Sequence, residues 1–313
     1  MNHAIKIGLV GAGPWAHQMY GPMLSGGAEL VLSAIWARRR EASEEMASKF
    51  GGRVCADFAE LLNHCDAVAF CVPPAVQAGL AIQATQSGKA LILEKPIADT
   101  LDAAQRLADA IDTANVASIV TFSYRFAPAV RQFITQARDR AFRGGRAAFL
   151  TNAYLGGPFA TEWRLADGSI TDTGPHAIDL MEQIVGPIER IHAIDGARNW
   201  TALTLWHAGG AVTQISLCSH VAINPLRFEL DVHDDAVTRK LDVIGSMGPT
   251  FNDALTSATV PIGASEPFSI LRSEFVECVA SGKASALDVR HGLHVQRLLS
   301  KAQESLSTGR SVT

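Results

Sequence analysis

The opening of this chain restricts its fold more than any other stretch: the apolar run Ile5-Lys6-Ile7-Gly8-Leu9-Val10 leads without a break into Gly11-Ala12-Gly13-Pro14-Trp15-Ala16. A short apolar strand ending in Gly-x-Gly-x-x-Ala predicts a strand, a tight turn and a helix. Gly11 permits the turn, Gly13 lets backbone approach a pyrophosphate held at the helix N-terminus, and Ala16 is small enough for helix and strand to pack closely. Such a motif carries weight only within alternating strands and helices. That alternation follows, with strand candidates at Ile5–Val10, Leu30–Trp36, Ala67–Val72, Leu91–Leu93 and Ser118–Phe122 and helix-period segments between them, such as Ala75–Gln86. Repeated strand-helix-strand units mean a parallel sheet with right-handed crossovers, a Rossmann-type domain.

After Phe122 the pattern changes. An amphipathic helix (Pro128–Arg138), a strand (Arg146–Tyr154), a Gly-rich loop and a helix (about Pro175–Val185) precede five strands separated mostly by Gly, Asn or Asp turns, near Ile188–Asp195, Trp200–His207, Ala211–Ser219, Leu226–His233 and Arg239–Ile244. Consecutive strands with short turns predict an antiparallel sheet, and two helices (Ser269–Ala280, Val289–Leu306) close the chain. The expected class is therefore α/β. A Rossmann dinucleotide-binding domain spans residues 1–122, and a second α/β domain with a large, mostly antiparallel open sheet spans residues 123–313. A length of 313 residues suits two domains, and 48% hydrophobic with 19% charged residues is the composition of an ordinary folded protein.

Composition narrows the partners. A net charge of −4 without a run of Lys or Arg builds no field for nucleic acid or anionic lipid, so a small molecule is the expected partner. No apolar stretch is long enough to span a bilayer, and the first strand begins too early for a secretory signal. Five cysteines without a Cys-x-x-Cys pair argue against a disulfide framework or structural zinc and point to reduced thiols in the cytoplasm. Cys71, in Val68–Val72, reads as core filler. His291 and His294 lie three apart with no accompanying Cys or carboxylate cluster, so no metal is expected.

The residues expected to hold the dinucleotide are Gly11, Gly13, Pro14, Trp15 and Ala16 in the turn, with Val72 and Pro73 and then Glu94 and Lys95 at the ligand edge of later strands. The Val72-Pro73-Pro74 backbone reads either as lining the nicotinamide side or as a plain loop before a helix. Where an NAD-specific domain usually carries an acid after its second strand, this chain has Ala37-Arg38-Arg39-Arg40. Arg38 and Arg39 can pair with a 2′-phosphate, so NADP(H) is expected over NAD(H), with NAD(H) still possible. The competing reading is a solvated helix start with Arg40 paired to Glu44.

Chemistry needs proton-handling groups. Lys95 in Glu94-Lys95-Pro96 and the segment Asp172-Thr173-Gly174-Pro175-His176 supply an ammonium, a carboxylate and an imidazole. Pro175 suits a first helical turn, placing Asp172 just before the helix and His176 inside its start, where the helix N-terminus disfavours imidazolium and leaves a base. Taken singly, His176 reads equally as a packing residue and Asp172 as a cap.

Together these segments resemble the Gfo/Idh/MocA family of oxidoreductases. The resemblance rests on Gly11–Ala16, Val72-Pro73-Pro74, Gly88-Lys89 leading to Glu94-Lys95-Pro96, Tyr124-Arg125-Phe126, Trp163-Arg164 and Asp172-x-Gly174-x-His176-x-x-Asp179. It implies that Lys95 contacts the reacting oxygen, His176 exchanges the proton, Asp172 holds substrate or orients the histidine, and hydride passes between nicotinamide and a sugar or cyclitol carbon. It also implies a homodimer or homotetramer through the C-terminal sheet. Tyr124, Arg125, Trp163 and Arg164 are further candidates for substrate contact, with packing roles as the alternative. Family members often carry a histidine where this chain has Gln77, often a glycine where it has Ala16, and a glycine cluster where it has the short Leu165–Thr171 loop. Two other readings stand beside the dehydrogenase: a non-catalytic cofactor-binding regulator or sensor of the same fold, and a reductase of C=N or C=C bonds.

Overall fold

The positions of the apolar side chains on each strand decide what covers it. In the computed structural model, which describes residues 4–256 and 260–313, the first six strands form one parallel sheet: β1 (Ile5–Val10), β2 (Leu30–Trp36), β3 (Arg53–Val54), β4 (Ala67–Phe70), β5 (Ala90–Leu93) and β6 (Ser118–Val120). β4 reads Ala-Val-Ala-Phe and β5 Ala-Leu-Ile-Leu, apolar at every position and buried throughout, the pattern of strands covered by helices on both faces. Those helices are α1 (Gly21–Ser25), α2 (Arg40–Phe50), α3 (Phe58–Asn63), α4 (Pro74–Gln86) and α5 (Leu101–Ala114). Their starts follow local chemistry: the Asp57 and Thr100 side chains accept from the N–H groups of Glu60 and Ala103, and Pro74 sits in the first turn of α4, where no donor is needed. The strand order is β3-β2-β1-β4-β5-β6. It reverses between β1 and β4, and such a switch opens a crevice beyond the C-terminal strand ends.

The later helices are α6 (Pro128–Ala137), α7 (Glu162–Asp172), α8 (Gly174–Val185), α9 (Pro249–Thr256), α10 (Glu266–Ser281) and α11 (Val289–Thr308). The second sheet comprises β7 (Gly144–Leu150), β8 (Ile188–Asp195), β9 (Thr201–His207), β10 (Val212–Cys218), β11 (Arg227–His233) and β12 (Thr238–Asp242), in the order β12-β11-β7-β10-β9-β8. β7 and β10 run parallel, and the other four pairings are antiparallel. The parallel pair arises because helices α7 and α8, not a hairpin, separate β7 from β8 in the chain. Alternation gives this sheet one apolar face: Leu203 and Leu205 are buried while Ala202, Thr204 and Trp206 between them are not. Helix α8 lies against β7 and β10, and Gly174 to Glu182 are all buried.

Contacts divide the chain into two units, Met1–Ser123 with Ala258–His294 and Tyr124–Ser257 with Val295–Thr313. A single cut near residue 122 thus marks where the chain first leaves the parallel-sheet unit, which it later re-enters. There the Val120 N–H donates to the Leu287 carbonyl at 2.7 Å and the Val289 N–H to the Ser118 hydroxyl at 3.1 Å. Three elements depart from the sequence reading, among them helix α9 (Pro249–Thr256), which it did not foresee. β3 is only two residues long, too short for any periodicity, and the stretch read as a loop before Asp172 is helix α7, interrupted at Gly168 (φ 73°). Glycine adopts that left-handed φ without strain, so the break hides the helix from a pattern search. No helix among the described residues is long and apolar enough to cross a membrane.

Candidate active site

In the parallel-sheet unit, the turn after β1 is built around two glycines with opposite surroundings. Gly11 has φ +104°, its N–H donates to the Trp36 carbonyl at 2.9 Å, and a Cβ there would lie 2.2 Å from the Cys71 carbonyl oxygen. A Cβ on Gly13 would meet nothing within 4 Å. That open space at the start of the following helical turn is the cradle a pyrophosphate requires, so these residues fit a dinucleotide. Ala16 is fully buried and opens a π-helical turn, Ala16–Tyr20, a local irregularity frequent at functional sites.

This turn is tied to the end of β5 by side chains. The Trp15 indole N–H and the Tyr20 hydroxyl both donate to Glu94 Oε1, at 3.0 and 2.9 Å, and the Lys95 N–H donates to Oε2 at 3.2 Å. Burial pushes the Glu94 carboxyl up, while the Lys95 charge and the bonds from Tyr20 and Trp15 pull it down. Burial, reinforced by the Glu94 charge, holds the Tyr20 phenol well above its ordinary value. Glu94, expected as a cofactor contact, is seen here as the latch between the glycine turn and the Lys95 strand end. Tyr20 was missed because a tyrosine at the end of a helical turn looks like any core aromatic. Gln77, in the first turn of α4 behind Val72-Pro73-Pro74, is fully buried and bonds to the backbone of Glu94 and Ile97. At the end of β2, Arg38 and Arg39 are exposed, whereas Arg40 Nε pairs with Glu44 at 2.8 Å. Cys71, read as core, sits just past β4 and is only half-buried. His291 packs its ring edge-on to Phe122 at 5.1 Å, and no metal-binding cluster occurs among the described residues.

In the second unit, Asp172 ends α7 and His176 lies in the first turn of α8. The Tyr154 hydroxyl donates to Asp172 Oδ2 at 3.2 Å, and Arg164 Nε approaches the same oxygen at 3.4 Å. The Arg164 guanidinium in turn lies over the rings of Trp163 and Phe159, at 4.9 and 5.6 Å. Burial and the Asp172 charge raise the Tyr154 phenol, so it remains a hydrogen-bond donor at neutral pH. His176 is 7% exposed and meets Tyr124 edge-on at 4.9 Å; Tyr124 also meets Phe149 and Phe228, which stack at 4.4 Å. Among the further candidates, Arg125 Nη1 is ion-paired at 2.7 Å with the buried Asp179, the last residue of the Asp-x-Gly-x-His-x-x-Asp motif. Trp163, Arg164 and Tyr124 flank Asp172 and His176. Tyr154 escaped the sequence reading because its position relative to Asp172 depends on the unforeseen helix α7.

A glycine turn with an open cradle at the switch point of a 3-2-1-4-5-6 sheet defines the first unit as a nicotinamide-dinucleotide-binding Rossmann domain, and comparison with known proteins agrees: residues 5–122 match the model described as "Oxidoreductase family, NAD-binding Rossmann fold". That model is the Rossmann domain of the Gfo/Idh/MocA oxidoreductases, so the N-terminal part of the chain is similar to that family. It is 27% identical over 192 residues to a levoglucosan dehydrogenase of Pseudarthrobacter phenanthrenivorans, covering 58% of this chain and 49% of that one. It is 30% identical over 138 residues to an inositol 2-dehydrogenase of Rhizobium meliloti, covering 43% and 42%. The chain thus spans about half the length of the curated relatives it matches. A levoglucosan dehydrogenase solved with NADH and L-sorbose has the same fold, with a TM-score of 0.83 at 20% identity over 99% of this chain and 98% of that one.

Proposed function

We propose that this protein is a nicotinamide-dependent dehydrogenase that moves a hydride between the cofactor and a hydroxyl-bearing carbon of a sugar, cyclitol or related small polar molecule. The observation that carries the reading is the Glu94 latch: one carboxylate accepts from the Trp15 indole of the glycine turn and from the Lys95 backbone N–H, so the backbone that bears Lys95 is tied to that turn. The names of the relatives, a levoglucosan and an inositol dehydrogenase, support the substrate class.

Gly11, Gly13, Pro14, Trp15 and Ala16 would hold the pyrophosphate, Val72 and Pro73 the nicotinamide side, and Glu94 and Lys95 the edge nearest the reacting carbon. Bound nicotinamide supplies or takes up the hydride. For oxidation, the role proposed for His176 is to accept the proton of the substrate hydroxyl, and that proposed for Lys95 is to donate a hydrogen bond to the reacting oxygen as its charge grows. Asp172, steadied by Tyr154 and Arg164, holds the substrate and orients the base. For reduction, the proton returns by the same groups. Arg38 and Arg39, exposed beyond β2 with no acid beside them in sequence, support a preference for NADP(H) through pairing with a 2′-phosphate. The open face of the second sheet supports a homodimer or homotetramer, and the five thiols fit a reducing cytoplasm.

The test is turnover of myo-inositol, levoglucosan, L-sorbose and a wider panel of sugars and cyclitols with NADP+ and NAD+, or their reduced forms, followed by nicotinamide absorbance. The expected result is activity favouring NADP(H), a kcat lowered about 100-fold or more in His176→Ala with cofactor Kd kept, and a cofactor preference cut about tenfold in Arg38→Ala. Wild-type kcat in His176→Ala overturns the proton role. An NAD(H) preference untouched by Arg38→Ala overturns the cofactor assignment.

A further inference from the structure

We infer that Gln77 is a positioning residue for Lys95, holding the backbone on both sides of it; its bearing on turnover rests on the role proposed above for Lys95. β5 ends at Leu93, and residues 94–97 have left the sheet. Their backbone groups lose the ladder and need other partners, since buried peptide groups are almost always paired. The Gln77 carboxamide supplies them. Its Oε1 accepts the Glu94 N–H at 2.8 Å, while its Nε2 donates to the Glu94 carbonyl at 2.8 Å and to the Ile97 carbonyl at 3.1 Å.

Three backbone groups, one donor and two acceptors, are thereby met by a side chain offering one acceptor and two donors. An amide alone among side chains of this size has that inventory: a carboxylate offers no donor, an imidazole one donor and one acceptor, a thioether neither of useful strength. The partners also fix the amide's orientation, because a carbonyl oxygen facing two carbonyls would be repelled at both. Gln77 is 0% exposed, whereas glutamine is mostly a surface residue, so its burial here is matched to these three bonds.

The mechanical consequence follows from where Gln77 starts. It stands in the first turn of α4, its own N–H bonded to the Pro73 carbonyl at 3.1 Å, so the Val72-Pro73-Pro74 step and the Glu94–Ile97 turn are fastened through one side chain. Glu94 is gripped twice, by Gln77 on its backbone and by Trp15 and Tyr20 on its carboxylate. Lys95 projects from the segment between these grips. Removing the amide frees the backbone that aims Lys95 while leaving its side chain chemically intact.

The experiment compares wild type with Gln77→Met, which keeps the shape without the hydrogen bonds, and with Gln77→Asn, one methylene shorter and still polar should Gln77→Met fold poorly. Folded protein is acetylated with trace acetic anhydride and the peptides quantified by mass spectrometry, with Lys89, whose Nζ bonds the Cys65 carbonyl, as internal reference. The Lys95 to Lys89 labelling ratio is expected to rise about threefold or more in either variant, as a released segment opens more often. An unchanged ratio overturns the inference. On the polyol that gives turnover, Gln77→Met is expected to lose about tenfold or more in kcat with cofactor Kd kept, and the Lys95→Met/Gln77→Met double variant to be within about twofold of Lys95→Met alone. Losses that multiply in the double variant overturn it, because Gln77 would then act elsewhere. A lowered Tm with kcat per active site and labelling unchanged is the signature of a purely structural glutamine and also overturns it. Wild-type turnover in Lys95→Met sinks the proposed role of Lys95 and leaves the labelling result standing, so the two ideas fail separately.

Discussion

A methyl group added at Gly11 would press on the Cys71 carbonyl oxygen from a backbone already in the left-handed region, while one added at Gly13 would enter empty space. The two positions therefore separate folding from binding. Gly11→Ala is expected to destabilise the protein by at least about 2 kcal/mol, from strained φ and a backbone clash that no rotamer relieves. Gly13→Ala should shift Tm by no more than about 2 °C yet weaken NADPH binding about tenfold or more, since the added carbon occupies the path of the pyrophosphate. Calorimetry and a fluorescence titration decide it; a Gly13→Ala protein that binds NADPH as the wild type does would remove the cradle from that position. At this scale the motif pointed to Gly11, where the structure shows the close approach that only glycine allows, because Gly-x-Gly-x-x-Ala states a steric requirement directly. It did not identify Tyr20, Tyr154 or Gln77, whose parts are played across 74, 18 and 17 residues of sequence. A hydrogen bond between distant positions leaves no local pattern to find.

The β9–β10 hairpin carries its own pH dependence. His207, at the end of β9, is 2% exposed; its Nδ1 lies 2.6 Å from the Gly186 carbonyl at the end of α8 and its Nε2 lies 2.8 Å from the Thr213 hydroxyl on β10. A neutral ring with the proton on Nδ1 satisfies both, donating to the carbonyl and accepting from the hydroxyl. Burial lowers the imidazole pKa from its ordinary value, and an unfolded histidine titrates near about 6.5. Between those two values unfolding takes up a proton. The contribution of His207 is therefore complete above about pH 6.5 and is lost as pH falls through the folded value. Tm measured from pH 7.5 to 5.5 should decline in the wild type and decline less in His207→Gln, whose baseline is lower; parallel curves would show that other groups set the slope. Among the elements, strand existence was legible wherever the apolar period was clean: Ile5–Val10, Leu30–Trp36 and Ile188–Asp195 match to the residue. The parallel placement of β7 beside β10 was not, because pairing partners are chosen by what fills the chain between them. Helix α7 was lost to Gly168, which breaks its period in the middle.

For the molecule as a whole, the open face of the second sheet is its most pointed surface. Arg190 lies over the Trp206 ring at 4.0 Å, Ile194 is 55% exposed and Val212 39%, while toward β11 and β12 the same face carries the Arg146–Asp231 pair at 3.0 Å. An apolar stretch bordered by charge suits a self-complementary contact between two copies. Ile194→Arg with Val212→Arg is expected to halve the mass found by light scattering or lower it further, with circular dichroism unchanged; a native monomer, or an assembly indifferent to both changes, would assign that face to solvent. The Rossmann unit was legible at this scale because its glycine motif and alternating strands sit together in residues 5–122, which match the family model, whereas the chain's return to the parallel-sheet unit was not, since an amphipathic helix does not say which sheet it will cover.

That return has a consequence for how such a protein can be recombined. Gly292 packs against Ile97 and Val120 so closely that a Cβ would lie 2.8 Å from Ile97, and Leu287 and Val289 hydrogen-bond to β6 and the residue opening it. Exchanging residues 5–122 with a relative, as a boundary drawn from the N-terminal motif invites, would import a sheet whose last strand was shaped for someone else's helix. A viable chimera would have to carry both stretches, distant in the gene and joined only once the chain is folded.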